Sequence, residues 1–278
     1  MKRTALIASI PLLLLVGCGD KSPPRAVIAD SPEVVHTPIP EPIKRVPVEP
    51  FDSKASSIDS SFKGHVCSDI MQALQIRKLS KDQYETSKDY AKRLQELSKQ
   101  KYFDELKLGD TLAFWEPKDG TSSYDADKGV LSFTPPYLSS NFKIGDGVEM
   151  LTPNVMSSSE RTYEGSNAFG VKRSVKSSHQ QVCVVSFTNF KYGSNASSQP
   201  FKIKLPPQDA RALHGKIRTF YLGVLAHPYL AAYSEYQKPE INNPIEKMVE
   251  GTSLLVKVQQ VWIVNGDTGE VLSKRTFK

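Results

Sequence analysis

The chain of 278 residues has little of what catalytic and metal-binding proteins usually carry. It has three cysteines, at positions 18, 67 and 183, so no Cys-x-x-Cys pair exists and a cysteine zinc ribbon is excluded. Its five histidines (His36, His65, His179, His214, His227) are scattered without His-x-His or His-Glu-x-x-His spacing, and no metal or cofactor is expected. No Gly-x-Ser-x-Gly elbow presents a serine nucleophile. Gly165 to Gly170 lacks both the dinucleotide-binding spacing and the Lys-Ser/Thr pair of a phosphate loop, and reads as a kinked strand. Asp125, Asp127 and Gly129 begin like a calcium loop, but the glycine comes one place early and Pro136 stands where a bidentate glutamate is needed. A hairpin turn between Tyr124 and Val130 is the better account. An apolar run of the ~20 residues that cross a bilayer is also missing.

What is present begins with Lys2 and Arg3, a short basic start before an apolar stretch from Ala5 to Val16 of the length of a secretory h-region. Leu15, Val16, Gly17 and Cys18 then follow in the order branched, small or β-branched, small, cysteine. This order resembles the lipobox of bacterial lipoproteins. The resemblance implies that residues 1–17 are a removed signal peptide, that the Cys18 thiol carries diacylglycerol, and that its freed amine takes a further acyl chain such as palmitate. Two or three chains, at ~0.8 kcal/mol per buried methylene, anchor stably where one is marginal. A plain secreted protein is the alternative. Gly19, which is not the Asp associated with inner-membrane retention, favours the outer membrane, with the domain in the periplasm or at the cell surface.

Residues 18–53 hold eight of the nineteen prolines, which remove backbone donors and bias their predecessors toward extended geometry. This segment reads as a tether, which fully extended reaches on the order of 110 Å. The alternative is that Ile43 to Phe51 packs along the domain through Val46, Val48 and Phe51. Charge divides with these segments: the leader carries +2, the tether −2, and residues 54–278 the full +6 of the precursor.

Residues 54–278 read as α+β, with N-terminal helices packed on a largely antiparallel sheet or sandwich. Cys67, Ile70, Met71 and Leu74 fall on one helical face, and Thr86 with Asp89 caps a second helix bearing Tyr90, Leu94 and Leu97. From Gly109 onward the period is two. Tyr163 to Val175, Val182 to Phe190, Phe201 to Leu205 and Ile217 to Leu225 are among the strand candidates. Leu254, Val256, Val258, Trp262 and Val264 are placed on one face of a strand from Thr252 to Val264. A short helix follows Pro206-Pro207 and stops at Gly215.

In an exported protein Cys67 and Cys183, both on apolar faces, are expected to pair, two buried free thiols being the alternative. The bond closes a loop of roughly 117 residues and contributes on the order of 4 to 5 kcal/mol in the chain-entropy model. Tyr221, Tyr229, Tyr233 and Tyr236 with His227 form the candidate contact surface, the last three tyrosines on a helix after Pro228, with core cover as the alternative. Within the domain, Tyr84 to Tyr90 with Arg93-Leu94, and Tyr163 to Gly170, are similar to a motif pair in uncharacterised bacterial exported lipoproteins; the resemblance brings no activity. The expectation is a membrane-anchored, non-enzymatic binding or assembly module in the cell envelope. Its partners are the membrane through its lipid and an unidentified envelope protein or polymer, and nucleic acid is not among them. Alternatives are an envelope hydrolase using His214 or His227 near Glu235, or an inhibitor of an attacking lysozyme or protease.

Overall fold

A computed structural model describes residues 47–166 and 168–277. Cys18, the leader and most of the tether lie outside the described residues. Chain order begins with helices α1 (Cys67–Gln75) and α2 (Ser87–Lys99), then short strands β1 (Lys101–Phe103) and β2 (Leu106–Lys107). Next come β3 (Leu112–Glu116), β4 (Thr121–Asp125), β5 (Val130–Thr134), β6 (Ser139–Asn141) and β7 (Val148–Met150). Two long strands follow, β8 (Asn154–Ser166) and β9 (Lys172–Lys191), then β10 (Phe201–Lys204) and helix α3 (Pro207–Ala212). The chain closes with the 21-residue strands β11 (Ile217–Gln237) and β12 (Ile245–Asn265), then β13 (Val271–Thr276).

The main sheet runs β3-β11-β12-β9-β7-β6, with β13 added to β12 and β8 to β9. The β9–β12 pair is parallel, and every other pair among the described residues is antiparallel. A small sheet, β10-β5-β4, closes one side of the core. The fold is therefore mainly β, which corrects the α+β expectation. The expected layer of N-terminal helices on the sheet does not form, because α2 buries none of its residues and leaves only the nine-residue α1 with a buried face. Helical periodicity in a sequence reports amphipathicity, and a short amphipathic helix can lie at the margin of a sheet without building a layer.

One face of the sheet supplies Cys183, Val185, Phe187, Tyr221, Leu254 and Ile263 to the larger core, together with Ile70, Met71 and Leu74 of α1. The opposite face carries Phe220, Leu222, Trp262 and Val264, covered by Phe51, Ile58 and Phe62 from the segment before α1. Trp262 and Val264 thus lie opposite Leu254, Val256 and Val258, not beside them as the alternation implied. The cause is a β-bulge: Leu222 pairs Gln260 but Gly223 pairs Val258, so Gln259 is extra and every later side chain changes face.

The Pro-rich segment ends on this second face. Val48 packs against the larger core and Phe51 against Trp262, while the Phe51 amide donates to Thr111 O and the Glu105 amide to Val48 O. The Asp125–Val130 turn joins β4 to β5, with the Lys128 amide donating to Asp125 Oδ1.

Candidate functional site

Two long hairpins, β8–β9 and β11–β12, lie side by side because β9 and β12 run parallel from Lys176/Ile245 to Phe187/Val256. Their turns therefore lie at the same end. The register defines rows across four strands, and paired residues share a face. Leu230, Leu254 and Val185 make a core row; Ala232, Thr252, Cys183 and Asn154 come next, then Ser234, Glu250, Gln181 and Ser157. Beyond them lie Tyr236, Met248, His179 and Ser159, followed by Glu246, Ser177 and Arg161. Apolar side chains thus give way to polar and aromatic ones within about two rows. From there outward β11 ends at Gln237 and β12 begins at Ile245, so the four strands run together for about four residues and the β8–β9 hairpin continues alone to Ser166/Lys172, an arm roughly 30 Å long at ~3.3 Å per residue in which β8 is exposed over nearly its whole length.

The exposed face of the arm is chemically organised. Tyr236 is 60 % exposed, and its hydroxyl donates to Glu246 Oε1 at 2.9 Å. Hydrogen bonds from Ser177, Tyr236 and Tyr163, with Arg161 close by, hold the Glu246 carboxyl below the usual carboxylate range. The same bond to Glu246 pushes the Tyr236 phenol up. Arg161 lies over the Tyr163 ring at 5.7 Å, and His179 Nε2 is 3.3 Å from Glu250 Oε2. Met248 is exposed among these groups. The arrangement offers two aromatic rings, a cation, paired carboxylates and a flexible thioether on a rigid sheet. These side chains suit contact with a partner and contain no activated nucleophile.

The four tyrosines singled out in the sequence are not brought together, and Tyr229, Tyr233 and Tyr236 stand on β11, not on a helix. Pairing of β11 with β12 from Leu230/Leu254 to Gln237/Lys247 overrides the helical spacing. Tyr221 is fully buried and its hydroxyl has no partner among the described residues; burial pushes the phenol up. Tyr233 is buried on the opposite face with Met150, Val182, Val184 and Val249. Tyr229, at φ 74°, sits in a bulge of β11 after the cis His227–Pro228 bond. There the His227 ring accepts or donates at 2.8 Å to the Tyr90 hydroxyl of α2. Only Tyr236 of the four reaches the arm surface.

Cys67 and Cys183 are joined, their Cα atoms 5.9 Å apart, linking the first residue of α1 to β9. His214 is exposed after α3, His227 is engaged by Tyr90, and Glu235 bonds the Tyr233 hydroxyl, which leaves these three without a shared centre. Among the described residues no cluster of His, Cys, Asp or Glu is arranged to hold a metal ion, and no helix is long and apolar enough to cross a membrane. Arg161, Tyr163, His179, Glu246 and Met248 were missed from sequence. The available signal was a Ser-rich run through 157–181, seven serines among charged residues with no apolar alternation, which is how a strand wet on both faces reads. Comparison with protein-family models, with curated proteins and with solved structures finds no match to this chain.

Proposed function

We propose that the protein is a cell-envelope lipoprotein, anchored through Cys18 and favouring the outer membrane, that works as a non-enzymatic binding or assembly module. Its contact surface is the arm face bearing Arg161, Tyr163, Tyr236, Glu246 and Met248, and its client is an envelope protein or polymer. The observation that carries the reading is the extension of a four-stranded sheet beyond its core with aromatic and charged residues held in hydrogen-bonded order on an uncovered face. A sheet with that much wet surface costs chain entropy and buries little in return, so a monomer gains nothing from its length. A Pro-rich tether supports the same reading by giving such a surface reach.

The test is photo-crosslinking in cells from Met248 on the arm and, as control, from the exposed Lys92 on α2. The expected result is a discrete adduct from Met248 that the double variant Tyr163→Ala/Tyr236→Ala removes without lowering the thermal midpoint. Equal, diffuse labelling from both positions refutes the arm as contact surface. Mass spectrometry of the mature protein tests the anchor separately, and an unmodified Cys18 with the leader intact sinks it.

A further inference from the structure

The segment from Pro47 to Ile70, which runs into the start of α1, folds over itself and leaves a cleft of about 530 Å³. Its apolar lining is Val48, Phe51, Ile58, Phe62, Val66 and Phe103. The aromatic floor is rigid: Phe51 stacks on Phe62 at 5.5 Å and stands edge-on to Trp262 at 5.2 Å, while Phe62 stacks on Phe220 at 5.9 Å. Val66 is 50 % exposed in this lining, which is unusual for an aliphatic residue with an apolar cavity beside it.

The charge of the lining is one-sided. Glu49, Asp52, Asp59 and Asp69 contribute carboxylates, and no lysine or arginine lines the cleft, in a domain whose net charge is +6. Lys54 and Lys63 are exposed nearby in sequence but do not line it. Lys274 and Arg218 reach the same segment from outside the lining and are directed at main-chain oxygens and a ring, not at these carboxylates: Lys274 donates to Ala55 O and lies over Trp262, and Arg218 donates to Ser60 O. His65 adds no positive charge. It is buried with its Nδ1 accepting from the Ala113 amide and its Nε2 donating to Glu49 O, and burial holds its pKa below the ordinary value.

The main chain of the segment rules out one kind of occupant. Val48, Glu49 and Phe51 already spend backbone groups on Glu105, His65 and Thr111, and Pro47 and Pro50 have no N–H to offer. An extended peptide therefore cannot add here as a strand. Side-chain shape and charge remain as the means of recognition.

From the apolar volume and the unopposed carboxylates together, we infer that this cleft binds a compact amphipathic cation, an apolar body of up to about ten carbons carrying an amine or quaternary ammonium group. The apolar body lies on Phe51 and Phe62, and the cation stays at the rim between Asp69 and Glu49, where solvent still reaches it. This site is separate from the arm and stands or falls independently of it.

Decylammonium is the probe, with decanol and decyl sulfate as neutral and anionic counterparts, all below micelle-forming concentration. Isothermal titration is run on the chain from Gly19 to Lys278, produced behind an ordinary cleavable leader. Decylammonium is expected to bind about tenfold more tightly than decanol at low ionic strength, the margin shrinking as salt rises, with decyl sulfate weakest. Glu49→Gln/Asp69→Asn should erase most of the margin, and Val66→Trp, which fills the cleft from a half-exposed position, should remove binding of both. Equal affinity for the three probes, no binding, or binding untouched by Val66→Trp overturns the inference. Tight binding that appears only after Lys44 and Arg45 are replaced by serine also overturns it, by assigning the cleft to the chain's own preceding residues.

Discussion

Reduction of the Cys67–Cys183 bond provides the sharpest quantitative test of how this fold is held. The bond spans a sequence separation of 116 and ties a nine-residue helix to the strand shared by core and arm. Chain-entropy bookkeeping for a loop of that size gives about 5 kcal/mol of stability, exerted by restricting the unfolded chain. Both side chains are buried, so the reduced protein keeps their volume and loses only the link. For a body of this size 1 kcal/mol corresponds to roughly 2–4 °C, which places the fall in thermal midpoint near 10–20 °C. Urea unfolding of the oxidised and fully reduced protein, followed by far-ultraviolet circular dichroism, checks it. The midpoint should drop with a slope equal to or slightly steeper than that of the oxidised form, because the reduced denatured chain is more expanded. A loss below about 2 kcal/mol with unchanged slope would mean that the denatured chain is already confined between residues 67 and 183, and the entropic account would fail.

Four further outcomes are expected. Tyr221→Phe removes a buried hydroxyl that has no partner among the described residues, and should leave stability unchanged or raise it by about 1 kcal/mol in the same urea assay. Gly251→Ala places a Cβ 1.8 Å from Val182 O, in the parallel pair where core passes into arm, and should destabilise by at least ~2 kcal/mol or prevent folding. Burial pushes the Glu149 carboxyl above the usual carboxylate range, so the folded protein binds the extra proton and stability falls as pH rises through and above 4.5; Glu149→Gln should flatten that slope in melts across pH 4 to 8. His65 has the opposite sign. Its folded pKa is lowered, so the stability it lends is complete above about pH 6.5 and is lost as pH falls toward the folded value. The protection factor of the Phe51 amide, its exchange rate relative to the unstructured chain at the same pH, should then fall below that pH, and a flat protection profile would show that the histidine does not clamp the segment.

Legibility differed by element according to how much burial imprinted on the sequence. The cap at Thr86 and Asp89 is observed, with the Asp89 amide donating to Thr86 Oγ1, because capping depends on neighbours three residues apart. The strand at Phe201 alternates cleanly because one face, Phe201 and Ile203, is buried in the larger core and the other is wet. By contrast, Tyr163 to Val175 read as one strand but is two, β8 ending at Ser166 and β9 beginning at Lys172. Val175 is the one buried residue there among those described, too little to mark the turn by periodicity. The single extra residue Gln259 inverted the faces assigned to Trp262 and Val264, and a bulge leaves no compositional trace at that position. The arm surface was harder still. Its rows combine residues from four strands up to about ninety positions apart, and what makes Arg161, Glu246 and Tyr236 neighbours is the register of β9 on β12, a property of pairing and not of local sequence.

The order of attachments along the chain also assigns the disulfide a mechanical role. Entering at Pro47, the chain is held to β3 through Phe51 and His65, then to the β12–β13 turn through Ser56, Ser57 and Ile58. These are single hydrogen bonds and two isolated bridges, Ser57 with Glu270 and Gly64 with Phe114, which a pull on the preceding residues would meet one after another. At Cys67 the resistance becomes covalent. Tension arriving there crosses directly to Cys183 and enters β9 at that point, so that α1 through β8 is bypassed. β9 is flanked there by β12 in parallel and by β8, and parallel strands sheared along their length load many hydrogen bonds at once instead of one at a time. If Cys18 carries the anchor, as proposed, the strand that receives its load is the one that supplies His179 and Ser177 to the arm. The tether and the contact face would then share one stiff element, and a partner held on the arm would be coupled to the membrane through β9 and the disulfide.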